Sequence, residues 1–304
     1  MRPRRGALTT ALLAAAVWIL AAGSGLGVGA GIAPAPAAAA PTAPRQPIPR
    51  RIIAVAPSAA ELLYALGLGD RVVGVGQYVA WPPAAIRLPR LGGLLDPRLE
   101  TVVALHPDLA VLLPSERELG ERLTALGIEV LVLPHETVAD VERAALTLAR
   151  RAGVSAAGER FVRDFRRRLA PSPVPGHPRL LLVAERERGQ LAQLLLAGPH
   201  TFLDELAARL GATNAFADAP LAWPQVALEE VVARRPTIIV ELQPRALSPA
   251  EIAALRADWR AVPGLPVGAV KVAVVAGDWA LVPGPRLPIL YEALRRALLT
   301  ATPP

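Results

Sequence analysis

No cysteine occurs in the chain. That excludes disulfides, thiol nucleophiles and any lipidated cysteine that would tether the protein to a membrane. The four histidines, His106, His135, His177 and His200, are scattered, and none has a ligand spacing such as H-x-x-x-H, so a metal held directly by the protein is not expected. His135 follows a predicted strand and is the one histidine that could face a cleft. The first strand–helix turn lacks G-x-G-x-x-G, and there is no P-loop lysine, so a nucleotide enzyme would lack its phosphate cradle. "VAPSAAE" puts Ser58 at such a turn without the G-x-S-x-G elbow of a serine nucleophile. No catalytic residue is identified. Aromatic residues make up only 4% of the chain, yet Tyr78, Trp81, Trp223 and Trp279 all fall in predicted loops, whereas Trp259 and Tyr291 fall on predicted helices and are read as packing residues.

What is present is an apolar chain of 304 residues, 53% hydrophobic, enough for two moderate lobes. Its opening reads as a secretory leader over residues 1–40: basic "MRPRR", an uncharged apolar stretch, then small residues with a cleavage site near Ala40. A membrane anchor is the alternative, because the apolar stretch exceeds 20 residues. Residues 41–50 form a proline-rich linker. The net charge of +7 is dispersed, and the run Arg166 to Arg168 reads as a solvated helix face, so no nucleic-acid partner is expected.

From Arg51 the chain alternates short apolar runs with helical segments. "RIIAVA", "RVVGVG", "DLAVLL" and "EVLVL" are strands apolar throughout, which predicts parallel sheets covered on both faces. Ser58 and Glu61 have capping-box spacing, predicting a helix from Ala59 to the glycines at 67–69. Residues 137–170 form a long helical span with one interruption at Gly153, after which strand–helix alternation resumes. The expected organisation is therefore an N-terminal lobe at 51–136, a bridging helix at 137–170 and a C-terminal lobe at 178–304. One unit occurs twice: "LETVVALHPDLAVLL" at 99–113 and "LEEVVARRPTIIVEL" at 228–242 agree at 8 of 15 positions. Each copy places a glutamate, Glu100 or Glu229, in the first turn of a helix, where an acid suits the helix dipole.

The stretches "RIIAVAPSAAELLYALGLGDRVVGVGQYVAWPP", "LPRLGGLLDPRLETVVALHPDLAVL", "GPHTFLDELAARLGATNAF", "WPQVALEEVVARRPTIIV" and "GDWALVPGPRLPILYEALRRAL" resemble, in order, the periplasmic substrate-binding proteins of ABC importers for iron complexes and cobalamin. The resemblance covers roughly residues 50–300, and its W-P-Q-V and D-W pieces are most similar to the cobalamin-binding branch. It implies an α/β fold of two Rossmann-like lobes with mostly parallel sheets, joined by a long rigid helix, with the ligand cleft between them. It also implies a monomer in the periplasm that delivers a metal chelate to a two-fold permease with its ATPase. The matching ligand positions are Tyr78, Trp81, Trp223, Asp278 and Trp279, with Arg286 near the mouth as a partner for an anionic ligand. Glu100 and Glu229 match the acids that meet arginines of the permease, and Glu230 is the neighbouring alternative to Glu229. The chain needs no cofactor of its own; the ligand is expected to be a corrinoid, with haem or a ferric siderophore as alternatives. Leu94 and Leu113 stand where further cleft aromatics would be. A sensor or scavenger on the same fold is the competing function, and it would not need both docking acids.

Overall fold

The computed structural model describes residues 47–93, 96–187, 189–265 and 270–301. The expected leader and its cleavage site lie outside these residues, as does Leu94. The first lobe runs β1 (Ile52–Ala54), α1 (Pro57–Ala65), β2 (Val72–Val75), α2 (Pro83–Ile86), α3 (Leu99–Ala104), β3 (Leu109–Leu112), α4 (Arg117–Ala125) and β4 (Glu129–Val132). Its sheet has the order β2-β1-β3-β4, parallel throughout. Successive residues of one strand point to opposite faces, and both faces are filled. Ile52 and Ala54 pack with Leu62, Leu63 and Leu148, while Ile53 packs with Val102, Leu119 and Leu123. This is why the strands are apolar at every position.

The predicted capping box at Ser58 and Glu61 does not form. Proline occupies the first helical position of α1, so the helix starts at Pro57 with Ala56 as its uncapped N-cap. Ser58 then lies inside the first turn, and Glu61, 1% exposed, serves another purpose described below.

The bridging segment is a helical hairpin and not one continuous rod. Helix α5 (Val138–Arg151) and helix α6 (Ser155–Arg168) are separated by Gly153, whose φ of +73° is open to glycine at little cost. The two legs are antiparallel: Glu142, early in α5, pairs with Arg166 at the end of α6 at 2.6 Å, and Phe165 shares a core with Val138 and Val141. Each leg has 14 residues and is about 21 Å long. Helix α5 begins against the second lobe, where the Val138 amide donates to Glu205 Oε2 at 3.1 Å, and ends against the first, where Arg151 pairs with Glu129. Helix α6 carries the chain back.

A complete capping box starts α5. The Thr137 hydroxyl accepts from the Asp140 amide at 3.0 Å, and the Asp140 carboxylate accepts from the amides of Thr137 (3.0 Å) and Glu136 (3.1 Å). Burial alone would push the Asp140 carboxyl up, but the hydrogen bonds from Thr137 and from Arg143 outweigh it and hold it below the usual aspartate range. A group lowered in the folded state stabilises above its unfolded pKa, and that contribution is lost as pH falls through the folded value. Asp140→Ala should therefore cost about 1–2 kcal/mol at neutral pH, and the gap to the parent should narrow on acidification. Urea unfolding at both pH values checks this; a gap that widens in acid contradicts the capping role.

The second lobe runs β5 (Arg179–Arg186), β6 (Leu194–Leu196), α7 (Phe202–Arg209), β7 (Thr213–Asn214), β8 (Gln225–Val226), α8 (Leu228–Arg234), β9 (Ile238–Gln243), α9 (Pro249–Arg260), β10 (Lys271–Ala276) and α10 (Leu287–Ala301). The sheet order is β10-β9-β5-β6-β8, with β7 also beside β5. Strands β10, β9 and β5 are parallel, whereas the β5–β6 and β6–β8 pairs are antiparallel. Leu180 and Leu182 face the core under α7 and α10; Leu181 and Val183 face Trp259 of α9. Trp259 and Tyr291 are buried, and the Tyr291 hydroxyl donates to the Ala170 carbonyl at 3.0 Å. The duplicated unit is α3–β3 in one lobe and α8–β9 in the other. Both copies turn through a left-handed residue just before the proline, His106 (φ +45°) and Arg235 (φ +51°).

Candidate functional site

The lobes meet through segments that follow the carboxyl ends of the parallel strands β1 to β4 and β10, the usual place for a ligand in an open α/β sheet, and through the stretch between β6 and β8. From the first lobe come Ser58 and Glu61 after β1, Tyr78 and Trp81 after β2, Leu113 after β3, and His135 and Glu136 after β4. From the second come Phe202 and Trp223 between β6 and β8, and Asp278, Trp279 and Arg286 after β10.

At the centre of the seam is one cation. Arg286 Nε and Nη2 donate to the two Glu61 oxygens at 3.0 and 2.5 Å, a bidentate pair that joins the lobes across 225 residues of sequence. Its Nη1 donates to Asp278 Oδ1 at 2.8 Å, and the guanidinium lies 5.1 Å from the centre of the Trp81 ring. Arg286 is 7% exposed, so it is neither a free side chain at the mouth nor a solvated helix start. A buried guanidinium needs paired acceptors, and Glu61 and Asp278 supply them. Burial pushes the Glu61 carboxyl up, against the downward pull of Arg286. The structure thus brings Trp81, Asp278 and Arg286 into one cluster and adds Glu61, which local spacing had read as a cap.

A second junction lies along the seam. Trp223 Nε1 donates to Glu136 Oε2 at 3.1 Å, and the indole leans on Phe202 with ring centres 6.0 Å apart. His135 Nε2 is 3.4 Å from Glu136, while its Nδ1 is buried with no partner among the described residues. Trp279 lies so close over Gly277 that a Cβ there would sit 2.4 Å from the indole, so only glycine lets the ring take this position. Tyr78 is 72% exposed, the most open large hydrophobic side chain of the cleft loops. Tyr78 and Trp223 make no ring contact with each other. The gap lined by Ser58, Leu113, His135, Pro283 and Gly284 is narrow, with a volume of ≈ 10 Å³. Sequence reasoning missed the roles of Glu61 and Glu136, which act across the lobes, and of Phe202, which supports Trp223 within the second lobe.

Glu100 and Glu229 are exposed in the first turns of α3 and α8 and have no partner among the described residues. Each helix turns directly into a strand that runs back the other way, so its N-terminus lies at the end of the sheet where the strands finish. Both acids therefore lie on the cleft side of their lobes. Glu230 pairs with Arg234 at 3.4 Å within α8. Of the remaining histidines, His106, His177 and His200 occupy turns at positive φ. No group of three or more His, Asp or Glu among the described residues converges to hold a metal.

A family model described as periplasmic binding protein matches residues 52–254. The chain is 28% identical over 268 residues to the vitamin B12-binding protein of Pectobacterium carotovorum, covering 84% of this chain and 91% of that one. It is 30% identical over 203 residues to the vitamin B12-binding protein of Vibrio cholerae serotype O1, covering 66% and 73%. Among solved structures it is similar to the periplasmic vitamin B12 binding protein of Vibrio cholerae (TM-score 0.65, 26% identity, covering 83% of this chain and 98% of that one). It is also similar to a periplasmic heme binding protein from Pseudomonas aeruginosa (TM-score 0.68, 27% identity, covering 84% and 95%).

Proposed function

The chain belongs to the periplasmic binding protein family, and from that membership we propose that it captures a corrinoid between its lobes and delivers it to an ABC permease. What supports this reading is that an aromatic side chain of each lobe touches the other lobe, Trp81 against Arg286 and Trp223 against Glu136, with Tyr78 and Trp279 in the loops after β2 and β10. Large rings offer a flat macrocycle much contact area for little rotamer entropy. The Arg286–Glu61–Asp278 cluster and Trp81 form the floor on which the ligand rests, since the seam beneath is too narrow to admit it. Arg286 already neutralises two acids, so the floor offers no free positive charge to an anionic ligand. The protein acts by binding and release, without chemistry on its cargo, and any metal arrives inside the chelate. The leader directs export and is cleaved near Ala40. Glu100 and Glu229 then meet arginines on the two halves of the permease.

Haem is the second reading, favoured by the similarity to the Pseudomonas heme binding protein. Titrating the purified protein with cyanocobalamin, cobinamide, haem and a ferric hydroxamate, followed by tryptophan quenching, separates the two. Saturable quenching by the corrinoids is expected, with Tyr78→Ala and Trp223→Ala each weakening binding about 10-fold or more, equivalent to about 1.4 kcal/mol. Tight binding of haem alone would replace the corrinoid reading.

A further inference from the structure

The second lobe carries an open sheet edge that the ligand cleft does not use. Strand β10 ends the sheet, and its outer side pairs with no described strand. Natural edge strands are blunted by proline, bulges or interspersed charge. The six residues of β10, KVAVVA, contain no proline, and Lys271 is their only charge. Among the described residues nothing covers this edge, which opens into a cavity of ≈ 560 Å³ between α9 and α10.

The walls of this slot differ. Helix α9 presents Arg256 and Arg260, one turn apart and both exposed; helix α10 presents Ala297, Thr300 and Ala301, small side chains that leave the slot wide. Val272 of β10 packs toward the α9 side of the sheet, while Ala273 and Val275 pack toward the α10 side. Arg256, Arg260 and Lys271 form no ion pair among the described residues, whereas Asp258 on the same helix is taken by Arg186. Three unpaired cations therefore border a row of unpaired backbone donors and acceptors.

We propose that this slot is a docking site for an extended acidic segment of a partner protein, which adds to β10 as a further strand. Main-chain hydrogen bonds to the edge provide the pairing, and alternate side chains provide selectivity. With a period of two, one set of partner side chains faces Arg256 and Arg260 and the other faces Ala297, Thr300 and Ala301. The fitting sequence therefore alternates acids with small or apolar residues. A second copy of this chain brings the same cations and the same apolar edge strand, so it offers nothing to neutralise them.

The test uses a fluorescent peptide of three Glu-Val repeats, blocked at both ends, and the full protein without cleft ligand. Lys271 is the only lysine in the chain, so amine acylation followed by mass spectrometry reports this edge directly. Expected are saturable binding, slowed acylation of Lys271, and at least 10-fold weaker binding for both the R256E/R260E protein and the Gln-Val peptide. A peptide N-methylated at every bond, which keeps its charge but has neither edge free to pair, should not bind. Equal binding of the N-methylated peptide would reduce the site to charge attraction and overturn the proposal. So would absence of binding at millimolar peptide, or a dimer in sedimentation whose Lys271 is already protected without peptide.

Discussion

Glu61→Ala is expected to lower the unfolding free energy by about 3–5 kcal/mol, the usual cost of removing one partner from a buried ion pair, and to lower the Tm by roughly 10 °C. The penalty falls on Arg286. With Glu61 gone, the guanidinium stays buried between the lobes with only Asp278, itself half-exposed, and Trp81 beside it. Glu61→Gln should cost less, because the amide oxygen still accepts one of the two Arg286 hydrogen bonds. The pH dependence separates charge from packing. Burial raises the Glu61 carboxyl in the folded protein. A raised group contributes stability that is fully present below its unfolded pKa and is lost as pH rises through the folded value. The parent should therefore lose stability across that window, above about pH 4.3, and the Gln variant should lack this loss. Urea unfolding of the three proteins across the window measures both effects. An Ala variant within about 0.5 kcal/mol of the parent, the range of an ordinary surface substitution, would mean that this contact does not hold the lobes together.

Glu61 also shows where sequence reading stops. The two-lobed α/β plan was legible because strands buried on both faces are apolar at every position, as the Ile52–Ala54 and Leu109–Leu112 runs are. The duplicated helix–proline–strand unit was legible for the same reason. Local spacing failed where a neighbour or a distant residue decides the outcome. Ser58 and Glu61 carry the letters of a capping box, but the helix starts at Pro57, two residues too early for it. The partner that explains Glu61 lies 225 residues away, and its only local trace is an acid inside the apolar run AAELL. The helical period continues on both sides of Gly153, so two antiparallel legs read as one rod; periodicity records which face is apolar, and chain direction leaves no mark on it. Strands β7 and β8, two residues each, are too short to carry any period. The cleft aromatics were found as residue types in loops, whereas the contacts of Trp81 with Arg286 and of Trp223 with Glu136 required the folded chain.

Reversing both rim acids, Glu100→Arg with Glu229→Arg, should abolish ligand uptake through the cognate permease while changing ligand affinity less than about twofold. The two side chains are exposed and unpartnered among the described residues, so the folded protein loses no contact when they change. An exposed ion pair contributes about 0–1 kcal/mol, but a charge pair desolvated at an interface costs about 2–5 kcal/mol when one side is truncated. Reversal adds repulsion to that loss. Two such sites, one per lobe, therefore weaken docking by roughly 1,000-fold or more, enough to stop delivery at ordinary protein concentrations. Each single reversal leaves the other lobe anchored and should give intermediate uptake. Glu230→Arg is the matched control: Glu230 pairs with Arg234 of its own helix, so its loss should leave docking largely intact. Uptake of labelled cyanocobalamin into proteoliposomes carrying the permease and its ATPase, measured beside tryptophan quenching of each variant, keeps docking and capture apart. Undiminished uptake by the double variant would remove the permease role from this pair of acids. Lost uptake with equally lost quenching would instead trace the defect to the cleft.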